Sequence, residues 1–415
     1  MTDSMPPASP EPTLKRSLSL AMLTLYGLGT TIGAGIFVLV GKIAGISGVY
    51  APFAFLLASV LAGLSAFSFA EMSSRYPESA GEAAYVREGL RMSRLSMVVG
   101  LLVVVAGTIS SSAIVNGFVG YLSELVAMDA SVAVILTVGG LGIIAAVGIA
   151  PSVTVAALVT VFEIGALAVV IAAATWRGGP GVVVPEAPFV PLSGDDWLLA
   201  VSGAVLAFYA FIGFEDIVNV AEEAHEAERT IPRAIVLTLV FTLILYVAVA
   251  AACAAIVPAP DLADSAAPLV LVFERASGLP GQVLAGIAVV SVLNGALIQT
   301  IMASRVLYGM GRRRMLPAIL GRVNRRTRTP LISTALVTVA IMVLALFLPI
   351  VSLARATSFV TLGIFLLVNV SLIALRLRET IRPPGTMRVP LAVPVMGAAA
   401  SVGLLGFQVW EALAD

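Results

Sequence analysis

The sequence predicts an all-α integral membrane protein, a bundle of about eleven transmembrane helices built as two inverted five-helix repeats, with helices 1 and 6 broken. Three observations predict it. Of the 415 residues, 59% are hydrophobic and 12% charged, with a mean hydropathy of +1.05, whereas soluble domains carry about 25% charged residues. The apolar residues fall in continuous runs of about 20, the length a helix needs to cross the hydrocarbon core. A membrane β-barrel would instead alternate polar and apolar positions. Finally, two of the runs, five apart, are interrupted by glycine and polar residues in matching places, as an inverted repeat produces.

Windowed hydropathy places the spans at 19–44, 50–70, 95–122, 131–149, 153–175, 198–220, 233–257, 283–309, 331–348, 352–375 and 391–413. The last is the weakest, because Pro390 and Pro394 stand at its start. An N-terminus inside the cell puts the tail and the loops 71–94, 221–233, 305–328 and 376–388 in the cytoplasm. All but Lys42, Arg177, Arg275 and Arg355 of the 24 Lys and Arg residues then lie there, as the positive-inside bias requires. The resulting organisation is a disordered cytoplasmic tail (1–17), a first repeat (18–175), an extracytoplasmic loop (176–197), a second repeat (198–375), and a cytoplasmic loop with span 11 (376–415). The expected location is the cell membrane. The start "MTDSMPPASPEPTLKR" is polar and Pro-rich and lacks the apolar core of a signal peptide.

Composition excludes several functions. Net charge is zero, so no basic excess points to nucleic acid. Cys253 is the only cysteine and His225 the only histidine. No disulfide within the chain, thiolate cluster, His-rich metal site or multi-haem arrangement follows, and no cofactor or metal is expected. A membrane enzyme would need such groups converging at one depth. A channel would need a polar stripe or rings of charge along a pore. A transporter-like nutrient sensor would add a soluble signalling domain, and no stretch is long enough for one.

Span 1 contains "LGTTIGAGIF" (28–37), with Gly29, Gly33 and Gly35 beside Thr30 and Thr31. Glycine costs about 1 kcal/mol relative to alanine in an ordinary helix, so its recurrence at mid-span asks for a reason. Span 6 reads "AVLAFYAFIGFEDIVNVAEE" (204–223), with Gly213 in an aromatic cluster and two acids directly after. Gly29-xxx-Gly33 is also a small-xxx-small pattern that close helix packing explains. The matching break in span 6 and the adjacent threonines favour a binding site. Unwound residues free N–H and C=O groups that a buried polar cavity can use. The N–H end suits a carboxylate and the carbonyls an ammonium. One site for both charges suits a zwitterion, and hence an amino acid.

"GLGTTIGAGIF" (27–37), "FAEMSSRYPESAGEAAYVREGL" (69–90), "FYAFIGFEDIVNVAEEAHEAERTIPRAI" (208–235) and "SRVLYGMGRRRMLPAILGRVNRRTRTP" (304–330) together resemble the amino acid–polyamine–organocation permeases, from span 1 to at least span 10. The resemblance implies a LeuT-like five-plus-five bundle and alternating access. It implies that the substrate carboxylate is held at Thr31, Ile32, Gly33, Ala34 and Gly35, and the amine by the carbonyls of Phe208, Phe211 and Ile212. It assigns an aromatic gate to Tyr209, where relatives often carry tryptophan or phenylalanine. Many relatives have a twelfth span, which is not expected here.

Two carboxylates are candidates for proton coupling. Glu163 stands near the centre of span 5 with Thr160 one turn away, placed to hydrogen-bond it. An acid at that depth costs about 2.5 kcal/mol or more. Some proton-coupled relatives have a lysine in this region. The alternative is a protonated structural acid inside the bundle. Glu215 follows the span 6 break, and its alternative is a charge pair with Arg233 or Arg305. Ser110 to Ser112, Ser291 and Asn294 are candidates to line the cavity or to join helices. "EEAHEAERTIPRA" reads as a cytoplasmic helix hinging spans 6 and 7, with His225 exposed. The function expected is secondary active import of amino acids coupled to protons, the alternative being an amino acid or polyamine exchanger. With no acid assignable to the cavity, neutral amino acids are the expected cargo.

Overall fold

The computed structural model describes residues 18–78, 81–147, 153–176, 189–379 and 385–414. The tail over 1–17 lies outside these residues, as do 177–188 and 380–384 of the loops before span 6 and after span 10. Among the described residues all regular structure is helical except one isolated bridge, Leu18 to Ala224. Among the described residues nine helices are long and apolar enough to cross a membrane, and two shorter apolar ones are Leu20–Thr31 and Leu331–Phe347.

Span 1 starts at Leu20, where the Ser19 hydroxyl caps the Met22 N–H, and stops at Thr31. It resumes as Ala34–Phe37 and Leu39–Ser47, then turns through Gly48–Tyr50 into span 2, Ala51–Arg75. A short helix, Gly81–Leu90, separates spans 2 and 3. Spans 3, 4 and 5 are Ser93–Ser123, Ala130–Val147 and Val153–Thr175. Span 6 opens with a capping box between Ser193 and Asp196 and runs as Gly194–Ala207, a tighter turn Phe208–Phe211, and Phe214–Glu223. Span 7, Ala227–Ile256, is one continuous helix around Pro232. The segment expected to form a separate hinge helix therefore largely belongs to span 7. Two short helices, Ala259–Asp264 and Pro268–Ser277, lead to span 8, Gln282–Arg312. Spans 9, 10 and 11 are Leu331–Phe347, Ile350–Arg378 and Ala392–Ala414. Span 11 is a full helix because its prolines fall at the start, where a helix tolerates them.

The packing reproduces the repeat. Span 2 packs on span 7, span 3 on span 8 and span 4 on span 9. Span 1 packs on spans 5 and 7 as span 6 packs on spans 10 and 2. Span 3 contacts span 10, and span 8 contacts span 5. These pairs map onto one another when each span is exchanged for the one five away. The short helix Gly81–Leu90 lies on span 10, and its counterpart Pro268–Ser277 on span 5. Exposed apolar residues such as Leu136, Ile143, Phe162, Val339 and Trp410 lie on spans 4, 5, 9 and 11. An apolar outer face on a buried bundle suits lipid.

A buried ionic cluster ties the N-terminal side of the bundle. The Glu71 carboxylate, at the end of span 2, receives Arg75 Nη2 at 2.7 Å, the Arg376 guanidinium of span 10, and the Val389 N–H at 2.9 Å. Arg75 also reaches Glu379 at 2.6 Å. On the opposite side Leu39–Ser47 lies on Ala259–Asp264, Lys42 Nζ donates to the Ala263 carbonyl, and Tyr121 donates to the Phe37 carbonyl at 2.5 Å.

Candidate functional site

The two breaks interlock at the centre of the bundle. Ile32 and Gly33 leave the helical region, and the N–H groups of Gly33, Ala34 and Gly35 find no acceptor among the described residues. In span 6 the chain is extended at Ile212 and then takes φ +129° at Gly213. L side chains avoid that region. The carbonyl of Ile212 receives no donor among the described residues. The Thr30 hydroxyl donates to the Gly213 carbonyl at 2.8 Å and to Gly27 at 3.0 Å, locking one break to the other. A Cβ on Gly213 would sit 2.5 Å from the Thr30 carbonyl, and one on Gly35 would sit 2.5 Å from Ala210 Cα. Gly33 faces open space, with nothing within 4 Å of a Cβ placed there. The three glycines of span 1 thus do three jobs: Gly29 packs on Thr160, Gly35 admits span 6, and Gly33 leaves room.

Around the breaks, the Tyr246 hydroxyl of span 7 donates to the Thr31 carbonyl at 2.8 Å. The Tyr209 hydroxyl lies 3.3 Å from the Ser110 hydroxyl. Phe211 and Tyr246 stack with Phe55 in one aromatic wall, and Phe208 meets Phe365.

Glu163 is fully buried, and neither carboxyl oxygen has a partner among the described residues. Thr160 does not supply one, because its hydroxyl turns back to the Ala156 carbonyl at 2.8 Å. The carboxyl lies within electrostatic reach of the Tyr246 hydroxyl, and so beside the span 1 break. Glu215 accepts the Gly213 N–H at 2.8 Å. It forms no ion pair with Arg233 or Arg305.

Two cavities lie between the breaks and the N-terminal face. The larger, about 940 Å³, is walled by spans 1, 3, 5, 6 and 8, including Met22, Tyr26, Ala156, Asn219 and Arg305. Above it is a small cavity of about 30 Å³, lined by Ser110, Ile212, Glu215, Asp216, Gln299, Thr361 and Phe365. Glu82, Val103 and Met302 line both, and mark the constriction between them. Of the residues expected at the site, Ser110, Ile212 and Glu215 line the small cavity. Thr31 to Gly35, Phe208, Tyr209 and Phe211 form the interlocked breaks beside it, and Glu163 stands apart behind Tyr246.

Ser111 and Ser112 join helices, Ser111 donating to Ala296 and Ser112 to Thr108 and Ile341. Ser291 and Asn294 line neither cavity. Asp216, Gln299, Glu82 and Tyr246 went unselected. Gln299, a lone amide in an apolar run, carries the signal that could have found its partner: its Nε2 donates to Asp216 at 2.9 Å. Glu82 lies on the short helix Gly81–Leu90, and burial pushes its carboxyl up to about 7.

Two helices broken at equivalent points, facing each other in a LeuT-like bundle, define a membrane transporter. Over residues 18–410 the chain matches the family of amino acid permeases, and it belongs to that family, whose members are transporters and not enzymes. It is 30% identical to the vacuolar cationic amino acid transporter 2 of Arabidopsis thaliana, covering 88% of this chain and 60% of the plant protein. To the branched-chain amino acid permease BcaP of Bacillus subtilis it is 27% identical, over 94% of this chain and 88% of the other. An uncharacterized transporter of Mycobacterium bovis is 31% identical over 95% of this chain and 90% of its own. The chain spans 60% and 64% of the length of two plant cationic amino acid transporters that it matches.

Proposed function

We propose that this protein is a secondary active transporter that imports amino acids across the cell membrane by alternating access, coupled to protons, with its N-terminus in the cytoplasm. The observation that carries the reading is the pair of interlocked breaks. Unpaired N–H groups at Gly33 to Gly35 and the unpaired carbonyl of Ile212 stand at the two breaks, which the Thr30 hydroxyl joins. Unsatisfied backbone in a membrane costs several kcal/mol per group, and a zwitterion supplies the partners. Its carboxylate takes the span 1 N–H groups and its ammonium the span 6 carbonyls. Gly33 leaves the space, and Tyr209 stands over it, held toward span 3 by Ser110.

The large cavity on the N-terminal side, with Leu39–Ser47 packed on Ala259–Asp264 at the other, supports a state open to the cytoplasm. The basic residues of the loops on that side support its cytoplasmic location. Glu163 supports proton coupling. An ionised, unpartnered carboxylate at this depth is costly, and no neighbour among the described residues holds the Glu163 carboxyl. Movement of the span 1 break carries Thr31 and with it Tyr246, which alters the surroundings of Glu163 as the cargo binds or leaves. Glu215 is the second titrating group, next to Gly213 at the other break.

The test is uptake into liposomes holding the purified protein, with a panel of labelled amino acids. Accumulation driven by an inward proton gradient, and lost in Glu163→Gln while binding persists, is the expected result. Uptake that requires preloaded amino acid and ignores the gradient would make the protein an exchanger and Glu163 a structural acid.

A further inference from the structure

The small cavity next to the breaks is walled by three carboxyl groups and contains no basic side chain. Glu215, Asp216 and Glu82 line it, and the three lie within electrostatic reach of one another. Arg305 lines the larger cavity and not this one. Each of the first two carboxyls is held in place by a donor, Glu215 by the Gly213 N–H and Asp216 by the Gln299 amide. Such donors fix a carboxylate as an acceptor aimed at whatever enters. Two further polar groups line it. Glu82 is 5% exposed and its carboxyl is met by its own backbone N–H, whereas Thr361 is 3% exposed and its hydroxyl has no partner among the described residues. The Thr361 hydroxyl, on span 10, belongs to no acidic run, yet it faces the same space. Buried polar groups ordinarily have partners, so the set is incomplete without a cationic donor.

Position and size narrow that donor. The cavity begins at Ile212, whose free carbonyl is proposed to hold the substrate amine, and ends at Glu82. Something entering from the break therefore comes tail first. The volume is about 30 Å³, against about 10–15 Å³ needed for one water. That admits a water-sized ammonium and one water. A guanidinium, with three nitrogens on a carbon, does not fit.

We propose that this cavity is a side-chain subsite for a primary ammonium, with Asp216 and Glu82 as its carboxylates, Thr361 as a further acceptor and Gln299 as the positioning residue, so that the preferred cargo is an amino acid with an alkyl-ammonium tail. The inference rests on the reading of the breaks as an amino acid site and changes the expected cargo from neutral to dibasic.

The pair L-lysine and L-norleucine isolates the ammonium, since their α-groups are the same and their chains are similar. Tritiated L-lysine, L-norleucine and L-arginine are bound to the purified full-length protein in detergent micelles. The expected result is lysine bound at least tenfold tighter than either other ligand, with the lysine-to-norleucine ratio falling toward one in Asp216→Asn and in Glu82→Gln. Norleucine bound as well as lysine by the unaltered protein overturns the ammonium subsite while amino acid binding stands, and this comparison needs no variant to fold. Arginine bound as tightly as lysine overturns the size argument and with it the specificity proposed. Binding of none of the three, or of any amino acid in the panel above, overturns the amino acid site itself, and the subsite falls with it.

Discussion

Gly33 and Gly35 are two residues apart, and alanine at each should have opposite consequences. At Gly33 the backbone is extended, φ −166°, a conformation any residue adopts, and an added methyl meets nothing within 4 Å. Gly33→Ala should therefore fold with stability within about 0.5 kcal/mol of the parent, as for substitutions that touch no special feature. The methyl enters the space where the carboxylate is proposed to lie. Displacing one hydrogen bond to a charged group costs about 1.5–3 kcal/mol, or roughly tenfold to a hundredfold in Kd. At Gly35 the same methyl would lie 2.5 Å from Ala210 Cα and 2.7 Å from its Cβ. Backbone cannot yield as a side chain does, so the two breaks must part. Overpacking of this kind costs about 1–3 kcal/mol. Melting curves of the two variants, alongside binding of the amino acid the parent holds most tightly, check both. Normal binding by Gly33→Ala would refute the assignment of that space to the substrate. A stable, tightly binding Gly35→Ala would refute the interlock.

Further expectations concern the charged groups. Burial raises the Glu82 carboxyl from its ordinary 4.5 to about 7, so the folded state holds this proton more tightly than the unfolded one. Stability should be highest below pH 4.5 as far as this group is concerned and should fall as pH rises toward 7; the shift corresponds to about 3 kcal/mol at most, at 1.36 kcal/mol per unit. Glu82→Gln should remove that slope, as a melting-temperature series from pH 5 to 8 would reveal; an unchanged slope would show that Glu82 is not the group responsible. Glu71→Gln should lower stability by about 3–5 kcal/mol, because it strips the charge partner from buried Arg376 and one of the two carboxylates from buried Arg75. A thermal-shift measurement decides it, and a change under about 1 kcal/mol would mean solvent already neutralises the cluster.

The repeat was legible because it is written in hydropathy and in the odd spacing, five spans, from one break to the other. Both survive any shift of a few residues at a helix end. The roles of individual glycines were not legible. Gly29, Gly33 and Gly35 look alike in sequence, and only the facing element distinguishes them: Thr160 beside the first, open space at the second, Ala210 against the third. The expected bond between Thr160 and Glu163 failed for a local reason. A threonine hydroxyl in a helix has its own i−4 carbonyl within reach, and Ala156 takes it. Glu82 escaped notice because its burial is purely tertiary. The helix Gly81–Leu90 folds back onto span 10 and carries into the bundle an acid that in sequence sits amid a charged loop. Asp216 was visible but unassigned, since which of two adjacent acids faces the cavity depends on the tight winding after Gly213. In the event both line it.

The central claim is that the unpaired N–H groups of span 1 and the backbone carbonyls at the span 6 break, with that of Ile212 unpaired, bind the two charges of a zwitterion. The most direct measurement takes the amino acid best accumulated by proteoliposomes and competes it with its own methyl ester and its own N-acetyl derivative. The ester has no carboxylate and the acetyl derivative no ammonium, while the side chain is unchanged. Loss of competition by both, at least about tenfold each on the scale of one charged hydrogen bond, is the result predicted. An ester that competes as well as the parent amino acid would contradict the account at its centre.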